Sequence, residues 1–384
     1  MSQFPEFDSA KQPRSKVELH VHLGGSVRLT TIWELAQKKG IPLNVKTLED
    51  LYEACSIKFP TDLADFLKLF AIFSPILVGD AEAIERVAYE FCADSAKQGV
   101  LYSEVRYNPH LLSTTHSPIK ASTGPLTPRE VVRCVNRGFV RGSADFNISM
   151  RSILCCIRSH PEWSNDVLEL CIEFQNDGVV GIDVAGDEAT GLAAPEIVAA
   201  FQGAAKAGIH RTAHAGEAGP AKNVLTAMRD MLVERVGHGY HVVEDDAIYE
   251  ECLQRGLHFE TCPYSSVLTG SVSLTARKHP IVRFAEDNAN FSVSRDDPTI
   301  TQRTLDEEYQ FLRGFGLKDV HLTRANFNAA RSSFLPSDGK QYLIQKLNEI
   351  YGTCDTTTSA SNIYEGQNNG GMIQQLLGHF WTTK

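Results

Sequence analysis

Eight short strand-like runs, alternating with stretches of helical spacing, constrain this chain more than any other feature of its sequence. The runs cover 17–23, 100–107, 150–157, 179–185, 210–215, 236–239, 257–262 and 291–294. Helical patterns lie between them at 166–175, 194–207, 221–234, 245–255 and 280–288. One more begins at Thr127, where Thr at the N-cap, Pro128 behind it and Glu130 two further on make a start signal. Strand–helix repeats of this kind imply a parallel sheet, and eight of them fit a closed (β/α)8 TIM barrel. Thr30 or Thr31 is expected to cap the first helix, which Gly40 ends. From 48 to 91 the chain reads as mostly helical, with Leu63, Phe66, Leu67 and Phe70 in register and Ile84, Val87, Ala88 and Phe91 after them. That predicts a helical insertion after strand one, at about 48–97.

The expected organisation is a loose lead-in over 1–15, one barrel domain over 16–350 and a polar tail over 351–384. The tail is rich in Thr, Ser, Asn and Gly from 353 to 371, and 372–381 could form a short apolar helix. The composition, 42% hydrophobic and 22% charged, is that of a globular protein. A net charge of −10 argues against a nucleic-acid surface, which needs clustered Lys and Arg. Nine cysteines, with an adjacent pair at Cys155 and Cys156 and no C-x-x-C spacing, read as buried thiols in a reducing compartment. The opening residues lack the basic and apolar regions of a signal peptide, and no run is long enough to span a bilayer. The expected location is the cytoplasm.

The chemistry is concentrated at the ends of those strands. His20 and His22 stand two apart on strand one and therefore share a face. His214 closes strand five, with Glu217 three residues on, and His238 ends strand six between two glycines. Asp296 and Asp297 follow strand eight and precede Pro298, which stiffens them. Each has a bland reading: H-x-H arises by chance, a buried His can be a core residue, and paired carboxylates often sit in solvated turns. Together, at the C-terminal ends of barrel strands, three imidazoles and a carboxylate suit one Zn2+ ion with room for a water. Zinc lowers the pKa of its water from 15.7 to about 7. His238 would orient that nucleophile, and Glu217, kept neutral by an apolar pocket, would donate a proton. Spacing alone leads to hydrolysis at a polarised carbon and does not say which carbon.

From Lys16 to about residue 335 the chain resembles the adenosine deaminase family of the amidohydrolase superfamily (adenosine/AMP deaminases). The likeness is carried by Lys16–Leu23, Glu104–His110, Arg151–Cys156, Ala185–Glu188, His214–Glu217, Gly237–His241, Cys262–Gly270 and Asp296–Pro298, in family order. The Cys155-Cys156 run is similar to the animal-type branch. The resemblance implies a single zinc on His20, His22, His214 and Asp296. It implies hydrolytic deamination of adenosine and 2′-deoxyadenosine at C6, giving inosine or deoxyinosine and ammonia in purine metabolism. Glu217 would protonate N1, His238 would act on the attacking water, Asp297 would bond N7 and the Gly186 N–H would meet N3. His22 and Gly24 would also lie against substrate. Leu63, Phe66, Leu67 and Phe70 would form an apolar lid over the purine, where the bland reading of the stripe is core packing.

Three positions depart from the family pattern. Gly24 stands where the family has an Asp that bonds the ribose 5′-hydroxyl, which opens a second reading: a deaminase of a 5′-modified adenosine or an adenine nucleotide. Tyr264 replaces a Trp. Arg295 replaces a small polar residue and is expected to bring a cation near Asp296. A third reading, a non-catalytic binding protein on this scaffold, predicts a missing ligand or acid, and none is missing. The bridging Lys of binuclear amidohydrolases is absent after strand four, as is the H-x-E and P-C-x-x-C signature of polynucleotide deaminases. The expected partner is a small nucleoside; a cell-surface partner cannot be read from the sequence.

Overall fold

The computed structural model describes residues 15–116, 125–190, 194–273 and 279–352. The expected lead-in before residue 15 and the polar tail from 353 onward lie outside the described residues. Eight strands pair in sequence order, each parallel to the next: β1 (Lys16–His22), β2 (Val100–Tyr107), β3 (Ser149–Ile157), β4 (Val179–Ala185), β5 (His210–Ala215), β6 (Arg235–His238), β7 (His258–Thr261) and β8 (Phe291–Val293). With helices following the strands, this is the (β/α)8 barrel that the alternation predicts.

The ring closes where β8 meets β1, and it closes just past the end of β8. Asp296 bridges to Val21, the His22 N–H donates to the Asp296 carbonyl at 2.9 Å, and the Asp296 N–H donates to the His20 carbonyl at 3.2 Å. The Ser294 hydroxyl accepts the His20 N–H at 3.1 Å. The seam of the barrel therefore runs through residues singled out for their chemistry.

Between β1 and β2 lie five helices: Leu29–Lys39, Leu48–Ala54, Leu63–Lys68, Phe70–Leu77 and Ala81–Lys97. The breaks between them have local causes. Thr47, Asp62 and Asp80 each cap a helix by accepting a backbone N–H three residues on, which starts a new helix where the periodicity alone reads through. Neither Thr30 nor Thr31 caps the first helix. Arg28 occupies the N-cap without a side-chain capping bond, and the Thr31 hydroxyl is drawn into the packing, donating to Glu90 at 2.6 Å. Gly40 ends that helix in a left-handed conformation, φ 65°, which suits glycine.

The main core lies between the strands and the surrounding helices and takes in Phe66, Phe73, Ile84, Val87 and Phe91 of the insertion. Burial of one such phenylalanine contributes about 1.5–3 kcal/mol. After β8 the helices Asp319–Ser332 and Ser337–Tyr351 pack with β1 in a second cluster around Phe327 and Leu347. Phe334, between them, lies at the N-terminal mouth: its ring stacks on His210 with centroids 4.7 Å apart and receives the Arg235 guanidinium at 3.5 Å.

Candidate metal-assisted active site

The C-terminal ends of β1, β5 and β8 bring His20, His22, His214 and Asp296 together, and their ligand atoms all lie within 4.8 Å of one another. His22 Nε2 is 3.1 Å from His214 Nε2, and the Asp296 Oδ1 atom is 3.4 Å from His20 Nε2 and 3.2 Å from His22 Nε2. His20 Nε2 is buried and makes no hydrogen bond. Two buried carboxylates hold the opposite ring nitrogens: Glu260 is 2.7 Å from His20 Nδ1, and Asp183 is 3.1 Å from His214 Nδ1. A ring that donates from Nδ1 presents a bare lone pair at Nε2, the form that a metal takes. Burial alone would push His214 down, and it settles at about 4 despite the Asp183 charge, so this ring is neutral at physiological pH.

Beneath the site the barrel is filled by charge rather than by the branched aliphatic layers usual in this fold. Arg106 bridges Asp183 at 2.7 Å and Glu260 at 2.6 Å; Arg235 bridges Glu260 at 2.7 Å and Glu104 at 2.6 Å. Burial opposes the ionisation of Asp183 and Glu260, but the neighbouring guanidiniums and histidines outweigh it and hold both carboxyls below their usual range. Three carboxylates against two guanidiniums leave one negative charge under the histidines, and Asp296 adds a second. An N3O donor set whose own carboxylate and the column beneath it sum to two net negative charges fits a divalent cation of intermediate softness.

Across from these ligand atoms stand two further groups. His238 Nε2 is 3.6 Å from Glu217 and 3.8 Å from Asp296 Oδ2, and neither of its ring nitrogens makes a hydrogen bond. Desolvation holds His238 well below the ordinary imidazole range, so it is a neutral base. Burial raises Glu217 well above the carboxylate range, with the negative charges of Asp296 and Glu188 adding to the effect. Asp296 goes the other way: burial would raise it, but the facing histidines hold it low, and Ser265 donates to its Oδ2 at 2.7 Å. Asp297, buried and beside that charge, is raised well above the carboxylate range. Its Oδ1 has no hydrogen-bond partner. His238 and Asp296 both take left-handed backbone, φ 60° and 63°, which costs a non-glycine residue of order 1–3 kcal/mol each.

Around this centre, Gly186 turns at φ 103° after β4, its carbonyl held by Arg158, which also donates to the His214 carbonyl. Phe70 comes over the mouth of the site: a Cβ built on Gly24 would meet only its Cε1 atom, at 3.9 Å. Leu63 and Phe66 are buried in packing beneath, at 7% and 1% exposure, while Leu67 and Phe70 are partly open. The stripe is thus divided, two residues buried and two half-buried. Arg295 does not add a cation to the site. Its guanidinium pairs with Glu18 at 2.6 Å, bonds Ser95 and lies over Phe91, on the side of the insertion helix Ala81–Lys97. Tyr264 is buried against Phe311 and Arg303.

Sequence reasoning passed over Asp183, Glu260, Arg106, Ser265 and Glu188. The first three carried a signal: charged residues inside otherwise apolar strands face the barrel interior and must be paired there.

A family model described as adenosine deaminase matches residues 15–350. The chain belongs to the adenosine deaminase family. It is 46% identical over 347 residues to the adenosine deaminase of Gallus gallus, covering 89% of this chain and 97% of that one. It is 44% identical over 359 residues to that of Danio rerio, covering 92% and 99%. Among solved structures, adenine deaminase from Arthrobacter aurescens superposes with a TM-score of 0.77 at 25% identity, covering 87% of this chain and 98% of that one. The N6-methyl-AMP deaminase of Arabidopsis thaliana superposes with a TM-score of 0.74 at 25% identity, covering 88% and 97%. The chain is therefore an enzyme, a hydrolase of the adenosine deaminase type, in a metal-dependent family. No helix among the described residues is long and apolar enough to cross a membrane.

Proposed function

We propose that this enzyme uses one zinc ion, held by His20, His22, His214 and Asp296, to deaminate adenosine and 2′-deoxyadenosine at C6. The observation that carries the reading is the pair facing those four residues: the imidazole of His238, held toward its neutral form, 3.6 Å from Glu217, whose carboxyl is held toward its protonated form. Two groups with pKa values pushed in opposite directions provide a base and an acid in one cleft. When bound, zinc supplies Lewis acidity that brings the pKa of a water from 15.7 to about 7. His238 takes a proton from the attacking water as its oxygen bonds C6. Glu217 gives its proton to purine N1, so the ring nitrogen receives the electron pair displaced from the C6=N1 bond. The C6–amino bond then breaks as the C6–O bond becomes a carbonyl: the amino group leaves with the proton from His238, the remaining proton of the former water restores the acid form of Glu217, and the products are ammonia and the 6-oxo nucleoside.

Orientation follows from the same chemistry. Purine N7 only accepts hydrogen bonds, and the protonated Asp297 is a donor with an uncommitted carboxyl oxygen. The Gly186 N–H serves N3, and Leu67 and Phe70 close over the base, with Leu63 and Phe66 anchoring them. At the 5′ end, Gly24 offers no side-chain acceptor, and a Cβ there would meet only Phe70 Cε1, at 3.9 Å. The full-length likeness to adenosine deaminases at 44–46% identity, against 25% to a nucleotide deaminase, favours the free nucleoside over a 5′-phosphate. The same likeness speaks for catalysis over a binding protein.

Glu217→Gln, assayed for ammonia release with zinc content measured alongside, is expected to lose about 10²- to 10⁴-fold in kcat with zinc retained. Unchanged activity would remove Glu217 from the reaction. Comparing kcat/KM for adenosine, 5′-deoxyadenosine and AMP tests the open 5′ end. A 5′-deoxyadenosine much poorer than adenosine would mean that another residue binds the hydroxyl.

A further inference from the structure

Glu188 lies just after β4, in the short helical turn Glu188–Thr190, and is 4% exposed. Its carboxylate accepts four consecutive backbone N–H groups of the loop that follows β5. Oε1 takes Gly216 at 2.8 Å; Oε2 takes Glu217 at 3.0 Å, Ala218 at 2.9 Å and Gly219 at 2.8 Å. The Asn223 amide adds a fifth bond to Oε1 at 2.7 Å. Successive N–H groups that converge in this way form an anion-binding concavity, the kind that elsewhere holds a phosphate or a free carboxylate. Here the anion belongs to the chain itself. Space is fitted to it as well: a Cβ on Gly219 would lie 2.7 Å from Glu188 Oε1, and Gly216 turns at φ 68°.

We propose that Glu188 is the positioning residue for the proton donor, acting as a tethered anion that folds residues 216–219 into the one conformation that aims Glu217 at the substrate. The inference rests on the role given to Glu217 above. The loop begins two residues after His214 and carries Glu217 at its second position, so its shape decides where the acid points. The neighbouring strand ends are tied by Arg158, whose guanidinium bonds the carbonyls of Gly186 and His214. Burial works against the charge on Glu188, but Arg158 and the converging donors outweigh it, and the carboxyl stays ionised. That charge in turn disfavours ionisation of Glu217, after burial and Asp296.

The geometry distinguishes this role from plain packing. An amide cannot substitute, because each Glu188 oxygen accepts at least two N–H groups; whichever oxygen becomes NH2 in Glu188→Gln faces donors. A shorter acid keeps the charge but cannot reach the loop. A misplacement of about 1 Å at a catalytic group is enough for a loss on the order of 10²-fold. The test measures kcat, KM and zinc content for Glu188→Ala, Glu188→Gln and Glu188→Asp, with Glu217→Gln as reference. The expected result is a fall of about 10²-fold in kcat for each Glu188 variant, with zinc retained and KM within about threefold. Added formate or acetate should refill the vacated site of Glu188→Ala and restore kcat at least about tenfold, with saturation, and should do nothing for Glu217→Gln.

Glu188→Ala with kcat within threefold of the parent, while Glu217→Gln is inactive, would overturn the positioning role and leave the reading of Glu217 standing. An active Glu217→Gln would instead remove the reading on which the proposal rests. A loss that resides in KM or in zinc content, or that no carboxylate restores, would also overturn it. If Glu188→Ala does not fold, Asn223→Ala removes one of the five bonds: a smaller fall in kcat at constant KM supports the proposal, and unchanged kcat overturns it.

Discussion

Replacing Glu260 by Gln changes one atom and tests the charged column under the site. Glu260 accepts four hydrogen bonds: from His20 Nδ1 at 2.7 Å and Arg106 at 2.6 Å on one oxygen, and from Thr212 at 2.8 Å and Arg235 at 2.7 Å on the other. An amide accepts on one side only, so two of these donors must face an NH2 group. Breaking a buried charge pair costs about 3–5 kcal/mol. Arg106 and Arg235 each keep a second carboxylate, Asp183 and Glu104, which places the loss near about 3 kcal/mol. With an unfolding entropy of about 2.1 cal/mol/K per residue over 384 residues, the metal-free protein should melt about 4 °C lower. Loosening His20 should also weaken metal binding by about 10- to 100-fold. That is a further 1.4–2.7 kcal/mol, or roughly 2–3 °C, lost only from the loaded protein. Thermal unfolding of the metal-free and metal-loaded forms, with chelator competition for affinity, separates the two effects. A metal-free variant that melts within 1 °C of the parent and binds metal unchanged would refute both steps.

Adjacent glycines should respond oppositely to Ala: at Gly25 a Cβ would lie 2.6 Å from Asp297 Cγ, and at Gly24 it would meet only Phe70 at 3.9 Å. Gly25→Ala should lower kcat/KM at least about tenfold and Gly24→Ala should leave it within about twofold. Gly237→Ala puts a Cβ 2.7 Å from His20 Cε1, so the purified protein should carry less metal, by elemental analysis, than the parent. His258 is buried and neutral, bonded to Asn290 and Ser292, and burial lowers it from 6.5 to about 4. A depressed imidazole pKa gives stability that is full above about 6.5 and lost as pH falls toward about 4, worth roughly 3 kcal/mol. Urea unfolding from pH 7 to 4.5 should therefore decline less steeply for His258→Gln than for the parent; parallel declines would rule His258 out as a source of acid sensitivity.

The barrel was legible because strand-length runs alternate regularly with helical spacing, and the Thr127–Glu130 capping box stands where the helix Pro128–Phe146 begins. Strand edges were less legible where polar residues are buried. Arg235 opens β6 although it is charged, because Glu104 and Glu260 neutralise it inside the barrel. The pattern over 48–91 reads as nearly continuous helix because packing sets the apolar spacing, whereas the breaks depend on single caps at Asp62 and Asp80. At the site, spacing puts His20 and His22 on one face without alignment to relatives. The partners that orient rings, Glu260 and Asp183, come from strands distant in sequence, and only the closed barrel shows which histidine each one meets. Arg295 illustrates the converse: next to Asp296 in sequence, it turns away from the site and pairs with Glu18.

The seam between β8 and β1 also sets an order of events in the making of the molecule. Synthesis proceeds from the N-terminus, so His20 and His22 leave the ribosome well before Asp296, which stands 274 residues after His22. Until then the first strand has no closing neighbour and the ligand set lacks its carboxylate. With the metal held by His20, His22, His214 and Asp296 as proposed, its capture is coupled to completion of the ring, and a chain interrupted before residue 296 can neither close its barrel nor retain a cation at full affinity.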